Sequence, residues 1–397
     1  MESQPADDAD AEPDGPYSWR VLLAGAIGMA FTFGTPYSYG VFLSPFGDVF
    51  GLSSVVLSTV FAAQLFAFFV GAGLIGVFAS RVQVRYVLAA SAVVVALTAP
   101  SLYVVDSYAG LVLVFGLLGT ALGTVYVILA SIVPQWFRER RGIATGILIA
   151  GVGVSLFVFP PAWRFAFDTF GVRQGVLLLA AAHAGAFLLT AVVCTRPPWA
   201  EPSAVSTGEL VSWTLGLIRT RTFLVAALGV GLSFAWYNLL AAYAVELFTS
   251  RGFSAYGASA AFGLVGGISI GSRIASGAIA DRIGYRRAYL GFLACATLGT
   301  VLLFPAATAV VLLAVVAYGL ALGGVGTLYI PVLLGIFGAE NDTAVIGVFN
   351  VVLGIFAIAA PPVATVLLKS SQSYAPVVSV TLLTTIGAFS AIYRVES

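Results

Sequence analysis

The sequence predicts an all-α polytopic membrane protein, with twelve transmembrane helices in two related six-helix bundles. Three observations carry this. The 397 residues are 60% hydrophobic and only 9% charged, far more apolar than a soluble domain. The apolar residues fall in repeated runs long enough to cross a bilayer. The chain also repeats its own punctuation about half a chain apart.

Split at Gly, Pro and charge clusters, the runs give spans near 19–43, 55–79, 86–105, 109–133, 142–164 and 174–194. A second set lies near 222–247, 255–280, 286–307, 309–336, 343–368 and 373–393. An even number places both termini on one side of the membrane. Short cytoplasmic loops retain Arg and Lys, and with the N-terminus inside, thirteen basic residues fall on the cytoplasmic face against four outside. The expected orientation is therefore N-in and C-in.

Residues 1–18 precede the first span. They read as a disordered acidic tail, since the first fourteen carry six acids and no base, without the basic start of a signal peptide. A net charge of +1 gives no footprint for nucleic acid, and Cys194 and Cys295 sit in apolar runs, as helix-packing residues rather than a disulfide framework.

The repeat is explicit. Gly76-Val-Phe-Ala-Ser80-Arg81-Val-Gln83-Val-Arg85 matches Gly277-Ala-Ile-Ala-Asp281-Arg282-Ile-Gly284-Tyr-Arg286 at an offset of 201 residues, and Tyr126 and Tyr329 stand 203 apart. Two bundles follow, 19–194 and 222–393, joined by a polar cytoplasmic linker at 195–221 and followed by a short tail at 394–397. Pro160-Pro161 and Pro361-Pro362 are expected to kink or end a helix at the same place in each half. Gly263, Gly267 and Gly271, with Gly142, Gly146 and Ala150, recur every four residues and are expected to line close helix contacts. Related halves commonly hold a substrate near the bilayer midplane, between them.

Arg273 is the residue that points to function. It lies eight residues before Asp281, so about 12 Å inside one face of a ~30 Å hydrocarbon layer. A charge there costs ~2.5–3.5 kcal/mol on insertion scales and requires a partner. Every Asp and Glu falls in a tail, a loop or a helix end, so the simplest partner is a bound anion.

The punctuation resembles that of the major facilitator superfamily, whose loop between helices 2 and 3 reads G-x-x-x-D-R/K-x-G-R/K-R/K and recurs between helices 8 and 9. The second copy is nearly complete, with Asp281, Arg282, Gly284 and Arg286; the first keeps Arg81 and Arg85 but has Ser80 and Gln83 for the acid and the later glycine. The resemblance implies that these residues, with Arg138 and Arg141, serve gating rather than substrate.

Within that superfamily the chain looks like the monocarboxylate transporters and the oxalate/formate antiporters. The likeness rests on Asp14-Gly15 before Trp19, on Phe33-Gly34-x-Pro36-x-Ser38-x-Gly40-Val41-Phe42, and on Trp136-Phe137-Arg138-Glu139-Arg140-Arg141-Gly142-Ile143-Ala144-Thr145-Gly146 continuing to Ala150-Gly151-Val152-Gly153. Three departures matter. Tyr37 stands where the proton-coupled members have a lysine, Ser269 where they have an aspartate, and Leu353 where the antiporters have a second cation before Gly354.

A single guanidinium grips one carboxylate bidentately, and a dianion would bring a second charge with no match. This favours a small monocarboxylate as substrate, with an oxalate/formate-type antiporter as the alternative. Around Arg273 the expected substrate-binding residues are Tyr37, Tyr126, Asn238, Tyr329 and Asn350, which donate hydrogen bonds without another buried charge. Gln64 and Trp236 are weaker candidates, and His183 is expected to rest on a backbone carbonyl.

Without the family's Lys and Asp, anion exchange, facilitated movement and proton-linked transport all stay open. No nucleotide loop is present, no cofactor or metal is expected, and the clustered acids or histidines of a membrane enzyme are missing. A transporter-like carboxylate sensor, and a carrier of neutral or cationic solutes, are the other rivals. The expected setting is the cell membrane, with a monomeric chain in lipid.

Overall fold

The computed structural model describes residues 12–78, 83–200, 207–305, 307–338, 342–371 and 373–395. Among these, every regular element is helical, one of the two ways a chain satisfies its backbone where no water is available, the other being a closed barrel. The first part of the chain forms α1 (Pro16–Thr32), α2 (Tyr39–Phe50), α3 (Ser54–Phe78), α4 (Val84–Ser101), α5 (Tyr108–Ile132), α6 (Arg141–Phe170) and α7 (Val172–Val193). A short α8 (Thr207–Leu217) follows. The second part forms α9 (Arg221–Ser250), α10 (Ala255–Ile283), α11 (Tyr285–Val301), α12 (Thr308–Phe337), α13 (Asp342–Ser371) and α14 (Ala375–Arg394).

Eleven stretches of the described chain are long and apolar enough to cross a membrane. The expected ninth span corresponds to α11, whose 17 residues make a rod of about 26 Å, at the lower limit for crossing.

The first span differs from the unbroken helix expected over 19–43. It begins at Pro16, and α1 and α2 are separated by an irregular turn at 33–38, with a short tight helix over Pro36–Ser38. Pro36 has no N–H to continue the ladder, and the Gly34 carbonyl turns aside. It accepts from Trp163 Nε1 at 3.1 Å and from the Ser38 hydroxyl at 2.6 Å. Irregular backbone inside a span is tolerable only when buried and satisfied in this way.

Two further expectations shift. Pro160-Pro161 and Pro361-Pro362 lie inside α6 and α13 and end neither helix. Gly263, Gly271 and Gly146 have nothing within 4 Å of a built Cβ, so they do not form the close contacts. Those fall elsewhere: Gly119 and Gly123 of α5 sit against the Gln64 and Phe68 carbonyls of α3, and a Cβ on Gly266 of α10 would lie 2.5 Å from Leu156 Cβ of α6. A repeat of four marks a stripe on a helix, and only the partner's position decides which stripe is covered.

Helices α1 and α3–α7 pack mainly among themselves, as do α9–α12 and α14, whereas α13 packs most broadly on α3; α6 against α10 is the other broad contact between the two sets. At the first, a Cβ on Gly354 would lie 3.1 Å from Phe69 Cβ; at the second, a Cβ on Gly153 would lie 3.0 Å from Ser269 Oγ.

Candidate functional site

A cavity of about 40 Å³ lies between the two sets of helices. From the first set it takes Phe33 and Tyr37 at the break in the first span, Phe69 of α3, Tyr126 of α5, and Ile149 and Val152 of α6. From the second it takes Ser233, Phe234, Trp236 and Tyr237 of α9, Arg273 of α10, and Leu322, Val325, Gly326 and Tyr329 of α12. The space is close to that of one or two waters. A ligand of several heavy atoms enters only as the lining rings move apart.

Arg273 is the cation in this lining. It is 4% exposed, and among the described residues its side chain has no hydrogen-bond or ion-pair partner, with Nε fully enclosed. Its neighbour Gly326 was not legible beforehand. A Cβ there would come 2.9 Å from Nη1 and 3.3 Å from Nη2, so α12 carries a glycine where the guanidinium must pass.

Three of the expected partners are brought together. Tyr126 and Tyr329 meet across the two halves, their hydroxyls 3.0 Å apart. Tyr37 is half-buried and stacks on Phe33, with ring centroids 5.0 Å apart. The other two are not brought to the site. Asn238 follows Tyr237, and one residue of helix turn aims it off the cavity face; its amide donates to Phe234 O at 3.0 Å. Asn350 is fully buried on α13, which contributes nothing to the lining, and among the described residues neither of its amide atoms has a hydrogen-bond partner.

Tyr237 was missed. It lines the cavity, is 3% exposed, has a hydroxyl without a partner among the described residues, and packs edge-on to Tyr37 at 5.3 Å. The signal was present in its spacing of four residues after Ser233 on one face of α9. Trp236 also lines the cavity, whereas Gln64 does not.

Ser269 is buried and its hydroxyl turns back to Gly266 O at 2.7 Å, and Leu353 is fully enclosed away from the cavity. His183 rests its Nδ1 on Leu179 O at 2.6 Å, as expected, among Phe31, Phe159 and Trp163.

The motif residues lie at the helix ends. Gly284 joins α10 to α11 with φ +90°, a conformation that strains any residue with a Cβ. Gln83, in the corresponding place of the first copy, is ordinary extended backbone with φ −76°. Asp281 accepts from the Tyr285 hydroxyl at 3.0 Å, meeting a phenol rather than a cation. Arg286 donates to Ile392 O at 3.2 Å and Tyr393 O at 2.6 Å, pinning the start of α11 to the end of α14. Arg85, Arg138, Arg141 and Arg282 are exposed, and Arg81 lies outside the described residues.

The two separated signature stretches are joined directly. The Asp14 carboxylate accepts the backbone N–H groups of Arg138, Glu139 and Arg140 at 2.9, 3.1 and 3.1 Å, while its own N–H donates to Trp136 O. The Arg138 N–H, above all, holds the carboxyl below its ordinary pKa.

Among the described residues every element is helical, many helices are long and apolar enough to span a membrane, and a buried cation lines a small cavity between the two sets, the design of a multi-pass membrane transporter. The chain belongs to the Major Facilitator Superfamily, whose family model matches residues 22–391. It is 29% identical to mouse monocarboxylate transporter 11 over 375 residues, covering 88% of this chain and 81% of that one. It is 30% identical to rat monocarboxylate transporter 13 over 352 residues, covering 81% and 76%. It is also 27% identical to the MFS-type transporter pytF of Aspergillus terreus over 294 residues, covering 72% and 96%.

Proposed function

We propose that this protein moves a small monocarboxylate across the cell membrane by alternating access, with the substrate carboxylate held by Arg273. The observation that carries the reading is the Arg273 guanidinium, 4% exposed on a cavity between the halves and without a protein partner among the described residues. A buried charge persists only if something completes it. A carboxylate matches the planar fork. The names of the relatives, two of them monocarboxylate transporters, agree.

In this reading the bundles 19–194 and 222–393 rock about the site as a monomer, the linker 195–221 and both termini are cytoplasmic, and Asp281, Arg282, Gly284 and Arg286 tie the helix ends that part during gating. The absence of a second cation in the cavity lining favours monoanions over dianions. Exchange of one anion for another needs no titrating group and fits the enclosed lining best.

The test is uptake into proteoliposomes. Arg273→Ala is expected to abolish saturable carboxylate uptake while thermal stability holds or rises, because an uncompensated charge has been removed. Unchanged saturable uptake by that variant would refute the assignment.

A further inference from the structure

We propose that a second hollow, beside the start of α6, binds a phosphate-bearing anion held by Arg138 and Arg141. It has a volume of about 280 Å³ and is lined by Gln135, Phe137, Arg138, Arg141, Trp199 and Ala200. It lies where α5 ends, α6 begins and the chain leaves α7. From Arg141 to Ile149, the first α6 residue of the central cavity, the helix rises about 12 Å, so the two sites are separate.

The charge of this hollow is one-sided. No carboxylate is among its described lining residues. Neither guanidinium has an ion-pair or hydrogen-bond partner among the described residues, where the ion pairs are Arg164–Asp168 and Arg173–Asp106. Asp14, the acid tied to this turn, is already used: its carboxylate accepts the N–H groups of Arg138, Glu139 and Arg140, and the Arg140 guanidinium adds to the attraction. Glu139 is exposed and does not line the hollow. Arg140, at the N-cap of α6, supplies no side-chain cap, so the positive end of the helix also favours an anion.

The walls are held by ties of their own. Trp199 Nε1 donates to Gln135 O at 3.1 Å, and its ring packs edge-on to Trp136 at 5.4 Å. Trp136 Nε1 in turn donates to Thr195 O at 2.8 Å. These contacts fix the segment after α7 against the end of α5 and set an indole wall beside the two guanidiniums. Two guanidiniums favour a phosphate monoester over a carboxylate, since each fork takes a pair of oxygens and the monoester brings close to two charges. A lipid headgroup and a soluble phosphate ester both carry this chemistry.

The experiment follows thermal unfolding of the purified full chain in detergent while dioleoyl phosphatidic acid or glycerol phosphate is titrated. Dioleoyl phosphatidylcholine and potassium chloride of matched ionic strength are the controls. A saturable rise in the midpoint is expected with at least one monoester and with neither control. A response to the lipid alone assigns a headgroup, to glycerol phosphate alone a soluble ester, and to both the phosphate itself. Both arginines are exposed, and Arg138→Gln and Arg141→Gln are expected to fold. Each should raise the half-saturating concentration by about tenfold or more, the loss of one charge-assisted pair. Arg140→Gln makes the same charge change outside the lining and should alter it by less than about twofold, since salt screens an exposed charge without contact. Arg273→Ala should keep the response. No saturable rise with either monoester, an equal loss in Arg140→Gln, or loss of the response in Arg273→Ala overturns the site.

Discussion

At the scale of single residues, the site depends on what each neighbour leaves open for Arg273. Gly326 is the sharpest case, since a Cβ there would sit 2.9 Å from Nη1. Gly326→Ala is expected to reduce uptake by about tenfold or more by displacing the guanidinium, with the protein still folded; normal uptake would show that the close approach is incidental. Asp14 is the second case. Its carboxyl pKa is lowered, chiefly by the Arg138 N–H, so the contribution is present at neutral pH and lost only as pH falls through that lowered value. This group therefore adds no pH dependence between about pH 5 and 8. Asp14→Asn should speed amide hydrogen exchange at 138–140, read by mass spectrometry; unaltered exchange would mean that the turn holds without the charge.

At the scale of elements, the close helix contacts divide the glycines into two kinds. Gly123 presses on the Phe68 carbonyl, backbone that has nowhere to move, whereas Gly263 has open space around it. Gly123→Ala is expected to cost about 1–3 kcal/mol through overpacking of α3 against α5. Gly263→Ala should be neutral or slightly stabilising, since alanine is the better helix former. Thermal unfolding in detergent checks both, and equal effects would contradict the contact map. The ends are tied as closely as the middles. The Tyr17 hydroxyl donates to Val193 O at 3.0 Å and Trp136 Nε1 to Thr195 O at 2.8 Å, so α1, the α5–α6 turn and the end of α7 form one assembly around Asp14.

At the scale of the whole molecule, a cavity of about 40 Å³ admits a substrate of several heavy atoms only as its lining rings part, and the proposed rocking of the two sets of helices would part them. Their broad contacts are α3 with α13 and α6 with α10. Cysteines at Phe69 and Gly354, where a Cβ built on the glycine lies 3.1 Å from Phe69 Cβ, come within bridging range once the helices part by about half an ångström. In a background without Cys194 and Cys295, oxidation of that pair is expected to stop uptake and reductant to restore it; uptake that continues through the cross-link would exclude relative motion there.

Composition and spacing along the chain carry the membrane class, the repeat, most of the helices and the isolated cation, because each is written locally or along a single helix. The expected Tyr37, Tyr126 and Tyr329 line the same cavity as Arg273, and their positions recur within the repeat or the family pattern. Tertiary structure alone decided the rest. Which face of α9 meets the cavity separates Tyr237 from Asn238, and which helices form the wall excludes Asn350. The register of one helix against another decides which glycine is crowded, and long-range hydrogen bonds at Gly34 permit the break in the first span. Those outcomes depend on the distance between residues far apart in the chain, which no local pattern of side chains encodes.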